Sequence, residues 1–281
     1  MGFVANARMY AVTPQVQAAW QDLFAWVVRR SGVPLRYVDH AAPAPLEALW
    51  ARPDLGAVFM CGFPFASAQP QPRLLAAPVP SPPRYRGQAT YCTDFVVRAD
   101  RPFRSLADTF GGRIGWTVGH SQSGYNAVRH HLAELGSGGR YATWVGPLVT
   151  PRRVIDAVID GMIDVGPLDS YVHDLLRQHD PQRAAQLRVV DSTTMTPIPP
   201  LVAAAALDEV AAMRLREALL CCHEAPELAR TRDAVLLARF ALADPGDYQM
   251  LQSWEQQADA AGVPAPAASG RRIGDQSSEA D

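Results

Sequence analysis

Hydrophobic and polar positions along the first part of the chain alternate between the periods of helices and strands. One helical face is predicted from five apolar side chains: Val16, Trp20, Leu23, Phe24 and Val27. Thr13 and Pro14 supply an N-cap and a proline at the first helical position. The predicted order is strand 4–10, helix 13–30, strand 35–38, helix 45–50 and strand 57–60. This alternation favours a parallel sheet with right-handed crossovers.

The second part of the chain repeats this alternation after a proline-rich segment at 70–83, which is predicted to be an extended surface connection. Strands are predicted at 89–98, 113–116, 163–168 and 187–192. Helices are predicted from Ser105, from the serine-rich loop to about Leu135, from Thr150, and over 207–222 and 226–239. The repeat predicts an α/β protein of two lobes, each lobe a mostly parallel sheet flanked by helices.

The segments near 89–98 and 187–196 are predicted to be the two crossings between the lobes. The first lobe would then be discontinuous, comprising residues 1–93 and 194–260, and the second lobe would comprise residues 94–193. Residues 261–281 are rich in Ala, Pro, Gly, Ser and charge, which predicts a disordered tail.

Composition narrows the function classes. Of the 281 residues, 48% are hydrophobic and 19% charged, with a net charge of −2, so a globular protein without a basic nucleic-acid patch is expected. No apolar stretch approaches the roughly 20 residues that span a bilayer, so no membrane insertion is expected. The four cysteines lack metal-site spacing, so buried free thiols, with no metal and no cofactor, are predicted.

The first ten residues bear on the cell compartment. They contain no basic segment followed by an apolar core, so no signal peptide is recognised in this chain. The chain is therefore expected either to be cytoplasmic or to have lost or lacked a leader in the form given.

The segment from Trp116 to Tyr125 carries the most informative chemistry. It follows a predicted strand and opens a helix, so backbone N–H groups and the hydroxyls of Ser121 and Ser123 would meet at a helix N-terminus, which favours anions. The alternative is that one serine only caps the helix. A nucleophile elbow would need Gly-x-Ser-x-Gly, and Gly119 to Ser123 ends in serine instead of glycine. No catalytic residue is therefore assigned.

Other candidate contacts lie where strands end, the edge at which α/β sheets bind ligands. Tyr10 ends the predicted strand 4–10, and Phe63 lies in the loop where the strand 57–60 stops. Trp116 could stack on a ligand or fill the core, and Asp169 ends the strand at 163–168. A carboxylate at Asp169 could accept from a ligand hydroxyl or amine, or bond within the hinge. Against a dianion it would repel unless a proton were present.

Several motifs resemble the phosphate/phosphite/phosphonate substrate-binding proteins of ABC transporters. In order along the chain these are residues 7–10, 61–66, 95–98, 105–108, 121–125 (Ser-Gln-Ser-Gly-Tyr) and 160–164. The resemblance implies a type II periplasmic-binding-protein fold with ligand in the cleft between the lobes. It also implies contacts from Tyr10, Tyr91, Ser121, Gln122 and Ser123, periplasmic localisation, and an ABC transporter permease as partner.

One segment departs from the family's pattern. Where the family commonly places Gly-Ser/Thr-His before a helix, residues 145–153 contain no histidine, although Thr150 can cap that helix and offer a donor. We therefore expect a solute-binding protein for a small anionic or polar ligand, phosphonate- or phosphate-like by resemblance, and not an enzyme. The alternatives are a cytoplasmic ligand sensor of the same fold or a hydrolase that uses Ser121 or Ser123.

Overall fold

The computed structural model describes residues 2–136 and 140–266. The strands are β1 Phe3–Asn6, β2 Leu35–Tyr37, β3 Leu55–Phe59, β4 Arg73–Pro80, β5 Thr90–Tyr91, β6 Thr93–Arg98, β7 Arg113–Gly115, β8 Thr143–Val145, β9 Gly166–Asp169, β10 Leu187–Ser192, β11 Thr196–Pro197, β12 Leu201–Ala203 and β13 Leu237–Ala241. The α-helices are α1 Pro14–Ser31, α2 Leu46–Trp50, α3 Gly62–Ser67, α4 Ala127–Glu134, α5 Pro151–Ile159, α6 Ser170–His179, α7 Pro181–Ala184, α8 Glu209–Cys221, α9 Ala229–Ala234 and α10 Met250–Ala260.

Short helical turns complete these elements. The 3-10 turns are Arg8–Tyr10, Pro83–Tyr85, Leu106–Thr109, Cys222–Glu224, Pro226–Leu228 and Pro245–Gln249, and a π-helical turn, Gln122–Asn126, precedes α4. The predicted first strand therefore ends at Asn6, and Tyr10 belongs to a separate turn.

The first sheet has the strand order β13-β4-β12-β3-β1-β2. Strand β1 runs parallel to β2 and β3, whereas β12 runs antiparallel to both β3 and β4. The α/β two-lobed class is confirmed, but the prediction of mostly parallel sheets is wrong. The reason is that β12, which follows the second crossing, enters the first sheet in the direction opposite to its neighbours β3 and β4.

Helix α1 packs on this sheet as its apolar spacing predicts. Thr13 caps the helix, with its side chain accepting from the Val16 amide at 3.3 Å, and Gly32 ends it with φ of 68°. Trp20 and Leu23 are fully buried in the same cluster as Phe59 of β3. The sequence signals at both ends of α1 therefore coincide with its observed bounds.

The second sheet is antiparallel, with order β10-β6-β9, and a parallel pair β7-β8 joins it through a bridge between Ile114 and Val165. Between the two sheets the chain passes twice, once through β5 and once through β11, and these two strands pair with Tyr91 opposite Thr196. The long strand predicted at 89–98 is thus interrupted at Cys92, where it passes from the crossing pair into the second sheet.

The structure corrects the prediction that the proline-rich segment 70–83 is a surface connection. Most of it forms β4, which lies between β12 and β13 inside the first sheet and is buried from Leu74 to Pro80. Proline lacks an N–H and is usually confined to edges and bulges, so its frequency here suggested a loop. Burial of the apolar side chains Leu75, Ala76, Ala77 and Val79 outweighs the lost hydrogen bonds.

The C-terminal part differs from its prediction in two further ways. The helix predicted over 226–239 ends at Ala234, and the chain continues as edge strand β13. Helix α10, which was not predicted, packs against both α3 and α4. Of the predicted tail, residues 267–281 lie outside the described residues, whereas Val263 is only 3% exposed and accepts a hydrogen bond from Arg129.

Candidate functional site

A cavity of about 630 Å³ lies between the two sheets, where the ends of several strands meet. The first sheet contributes Asn6 at the end of β1 and Cys61 after β3, and the crossing contributes Tyr91. The second sheet contributes the loop after β7 and Asp169 at the end of β9. This is the position at which α/β sheets bind ligands. Of the predicted contacts, five line the cavity: Tyr91, Ser121, Ser123, Thr150 and Asp169.

The two serines of the loop have different surroundings. Ser121 is the N-cap of the π-helical turn, and its Oγ accepts from the Gly124 amide at 3.0 Å. The Ser123 side chain is half-buried at the cavity, and its backbone carbonyl accepts from the Thr93 hydroxyl at 2.9 Å. Ser121 therefore already has a capping role, while the hydroxyl of Ser123 can turn to a ligand.

Gln122 is buried behind this loop and does not line the cavity. Its backbone N–H donates to the Cys61 thiol at 3.2 Å, and its side-chain oxygen accepts from Asn126 at 2.8 Å. The Gln122 amide, which the sequence suggested as an anion donor, is thus occupied by a sulfur from the first sheet. Burial raises the pKa of Cys61 to about 11, so this sulfur is a neutral thiol.

Asp169 forms the most perturbed acid at the cavity. It is 7% exposed and caps α6, with Oδ1 accepting from the amides of Tyr171 and Val172 at 2.8 and 3.1 Å. Burial, with the nearby carboxylates Asp94 and Asp174, raises the pKa of Asp169 to about 7, although the two amide bonds oppose the shift. Around neutral pH the group is therefore divided between carboxylic acid and carboxylate.

Two buried hydroxyls at the cavity have no hydrogen-bond partner among the described residues. They are Tyr91 Oη and Thr117 Oγ1, on residues that are 1% and 6% exposed. Buried polar groups without a partner cost free energy, so such pairs of atoms point to a missing ligand or water. Burial, together with Cys61 and Asp169, raises the pKa of Tyr91 well above its usual range, against the opposing effect of the neighbouring Ser123 side chain, so its hydroxyl is protonated and can donate.

Three predicted aromatic contacts do not line the cavity. Tyr10 is fully buried and packs edge-on against Phe59 at 5.0 Å, with its hydroxyl near Asp169 but unpartnered. Phe63 belongs to an apolar cluster under α10. Trp116 is 1% exposed and lies 5.7 Å from the Tyr125 ring. In each case the aromatic surface is used in the core, the common outcome for large apolar side chains at the end of a strand.

The helix after the histidine-free segment also borders the cavity. Thr150 caps α5, with its side chain accepting from the Arg153 amide at 3.3 Å, and Val149 before it has a positive φ of 64°. A β-branched residue is rare in that conformation. Thr150 therefore lies at the cavity as predicted, but its oxygen already accepts one hydrogen bond.

Sequence reasoning missed several lining residues, among them Arg8, Thr117 and His120. His120 bridges to the first lobe: its Nδ1 lies 2.9 Å from Glu47 Oε1, and its ring meets Trp50 edge-on at 5.6 Å. Burial lowers the pKa of His120, against the opposing effect of Glu47. Only the position of His120 in the serine loop could have indicated it, because its partners are remote in sequence.

A buried ionic network stands beside the crossing. Asp94 on β6 is fully buried and bonds Arg84 at 2.6 and 3.0 Å, His173 at 2.8 Å and Ser192 at 2.7 Å. Against the effect of burial, the hydrogen bonds from His173 and Arg84 hold the pKa of Asp94 below its usual range. This network fixes β6 to β10 and α6 next to Asp169.

In the part of the chain that the structure describes, no cluster of His, Cys, Asp and Glu has the form of a metal site, and the four cysteines are free thiols. Within the same residues no helix is both long and apolar enough to cross a bilayer. The cavity instead offers hydroxyl donors, one acid of shifted pKa and partly buried basic side chains, which suits reversible binding of a polar ligand.

Comparisons with known proteins agree with this geometry. A model of the family described as "ABC transporter, phosphonate, periplasmic substrate-binding protein" matches residues 10–248. No curated protein matches the sequence.

Solved structures with the same fold share less than 20% sequence identity with this chain. A binding-protein component of an ABC phosphonate transporter from Pseudomonas aeruginosa has a TM-score of 0.78 at 16% identity, covering 96% of this chain and 91% of that one. PhnD1 from Prochlorococcus marinus in complex with methylphosphonate has a TM-score of 0.74 at 17% identity, covering 92% of this chain and 98% of that one. XAC2383 from Xanthomonas citri bound to ATP gives 0.63 at 19% identity, with the same coverage.

Proposed function

The chain belongs to the periplasmic substrate-binding proteins of phosphonate ABC transporters, and from that premise we propose that its cavity holds the phosphonate-like anion through Ser123, Thr117 and Tyr91. This family serves transport and is not an enzyme class. The observation that carries the proposal is the pair of buried hydroxyls at Tyr91 and Thr117 that lack a hydrogen bond of normal geometry, since both residues line the same cavity as Ser123.

The charges around the cavity agree with an anion that keeps a proton. Asp169, with its pKa of about 7, can donate as a carboxylic acid to one anion oxygen, whereas as a carboxylate it would repel that oxygen. Arg8 brings positive charge from the first lobe. Two of the structural relatives named above contain a ligand, methylphosphonate in PhnD1 and ATP in XAC2383. Both ligands contain tetrahedral phosphorus with several oxygens, which is the chemistry that such donors recognise.

The proposal extends to the division of the chain and to its partner. We assign residues 1–93 and 194–260 to the first lobe and residues 94–193 to the second, with rotation about β5 and β11, the strands at which the chain passes between the sheets. Closure on ligand would present the closed form to an ABC permease in the periplasm. Helix α10 contacts α3 of the first lobe and α4 of the second, so it would join the lobes in addition to the two crossings.

The test uses Tyr91→Phe and Thr117→Val with methylphosphonate as the probe. Each change removes an unpartnered buried oxygen, so the ligand-free protein should gain stability, by about 1–3 kcal/mol at most. Each change should also weaken methylphosphonate roughly tenfold, because hydrogen bonds to charged groups contribute about 1.5–3 kcal/mol. Urea denaturation without ligand and calorimetric titration measure the two effects separately.

The two measurements separate binding from a purely structural role. If the hydroxyls only fill the core, both variants change stability and leave the affinity of the folded protein for methylphosphonate unchanged, which would contradict the proposed site. Ser67→Ala, on the surface-facing end of α3, serves as the matched control because its hydroxyl donates to the Phe63 carbonyl away from the cavity. That control should leave the affinity unchanged.

A further inference from the structure

Two contacts already bridge the cleft, yet the cavity between the lobes is large. The Gln122 amide meets the Cys61 thiol at 3.2 Å, and His120 meets Glu47 at 2.9 Å, each pair joining one lobe to the other. The cavity of about 630 Å³, which is partly open to solvent, corresponds to the volume of on the order of 20 water molecules. An anion with a single carbon would displace only a small part of this water. Cavities of this size usually hold ligands with an extended organic structure.

Apolar side chains from both lobes form much of the cavity wall. Those that the argument uses are Met9, Val12, Leu46, Val149, Ile155 and Leu176. Met9, Val12 and Leu46 come from the first lobe and are half-buried, so contact with a ligand would remove further apolar surface from water. Hydrated inorganic anions gain nothing from such a wall.

The basic side chains of the wall are largely engaged. Arg8 donates to the Ala44 carbonyl, and Arg152 lies 3.8 Å from Asp156 on the next turn of α5. His120 is paired with Glu47. Arg153 also lines the cavity, but Asp39, Asp156 and Asp180 border it as well, so the charge of the lining gives a second anionic group on the ligand little net attraction.

We propose that the ligand is a phosphonate or phosphate monoester whose substituent is an uncharged organic group larger than methyl, packed against the wall formed by Met9, Val12 and Leu46. This inference rests on the proposed function, because it takes the hydroxyl cluster as the site of the anionic head. It adds the chemical class of the remainder of the ligand, and it makes the apolar wall the determinant of specificity.

The experiment titrates methyl-, propyl-, butyl- and phenylphosphonate into the full chain by calorimetry. Burial of one methylene contributes about 0.8 kcal/mol, so each added carbon should tighten binding about fourfold until the wall is covered. The variants Met9→Ala and Leu46→Ala should reduce this gain for butylphosphonate by about threefold to tenfold and leave methylphosphonate unchanged. Ser123→Ala is the matched control and should weaken all four probes by the same factor.

The outcomes separate the two proposals. If methylphosphonate binds as tightly as the longer probes, or if Leu46→Ala changes all probes equally, the inference about the substituent fails while the proposed function stands. If none of the four probes binds, or if binding is indifferent to Ser123→Ala, the proposed function itself fails. A steady gain along the series that both wall variants reduce supports the inference.

Discussion

Substitution of the two loop serines should separate capping from ligand binding, because the structure gives the two hydroxyls different partners. Ser121 Oγ accepts from the Gly124 amide at 3.0 Å, so Ser121→Ala removes an N-cap and should lower the free energy of unfolding by about 0.5–2 kcal/mol. Its effect on the affinity of the folded protein for methylphosphonate should stay within about threefold. Ser123→Ala removes no cap, so stability should change by less than about 0.5 kcal/mol.

For Ser123→Ala the loss should appear in affinity instead. One hydrogen bond to a charged group contributes about 1.5–3 kcal/mol, which corresponds to a loss of about ten- to a hundredfold. Calorimetric titration gives the affinity and urea denaturation gives the stability of the same two variants. The double variant should show both effects together: the loss of stability expected for Ser121→Ala and the loss of affinity expected for Ser123→Ala.

The reverse ranking would refute this reasoning. If Ser121→Ala weakens the ligand strongly at unchanged stability, the cap bond seen here is replaced by a ligand bond on binding. If neither variant changes affinity, the loop is only the start of α4, and the anion must be held nearer Tyr91 and Asp169. Ser121→Thr keeps a capping oxygen and is the conservative control, which should restore most of the stability.

Three further predictions follow from the electrostatics of the site. Because the pKa of Asp169 in the folded protein is raised to about 7, its burial destabilises the fold increasingly as pH rises from about 4 to 7. The affinity for an anion should also fall as pH rises through 7. Asp169→Asn should flatten both pH profiles, and slopes equal to those of the wild type would count against this assignment. Asp94→Asn should destabilise the protein by about 3–5 kcal/mol in urea, since it removes the buried carboxylate that Arg84 and His173 share; a loss below 1 kcal/mol would show that the network is dispensable. His120→Ala removes the contacts with Glu47 and Trp50 across the cleft, so small-angle scattering should show a more open ligand-free protein, and an unchanged profile would deny these contacts a role in closure.

Local signals accounted for the parts of the fold that depend on neighbouring residues. Thr13 and Pro14 predict the start of α1, and the apolar face predicts its side toward the first sheet, because capping and periodicity are both short-range effects. The strand near 89–98 was recognisable for its β-branched residues. Its break at Cys92 was not, since pairing with β11 is set by residues about a hundred positions away.

Two of the missed elements show opposite reasons for the error. Strand β4 carries prolines that read as a loop, yet its pairing and burial between β12 and β13 override that local preference. Helix α6 directly follows Asp169, whose side chain is its cap; the aspartate was recognised as the end of a strand, but not also as the start of a helix. Asp169 is thus both the last residue of β9 and the N-cap of α6, and this junction lies at the edge of the cavity.

For the candidate site, the sequence indicated the right loop but could not divide its groups between structure and function. Ser121, Gln122 and Ser123 are consecutive, yet one hydroxyl caps a turn, one amide meets a thiol from the other lobe, and one hydroxyl borders the cavity. That division depends on Cys61, which is remote in sequence. Thr117 was passed over because a lone threonine after a strand is common and carries no pattern of its own.

The position of Tyr91 links binding to closure. It is the last residue of β5, the first of the two strands through which the chain passes between sheets, and the next strand begins at Thr93. Beyond that point Asp94 is bonded both to Arg84, in the segment assigned to the first lobe, and to His173 of the second, so this network joins the two segments beside the crossing. Under the proposed rotation about β5 and β11, a ligand that bonds the Tyr91 hydroxyl would act at the hinge itself. Its affinity should accordingly depend on the angle between the lobes, and substitutions on the crossing that never touch the ligand should alter binding.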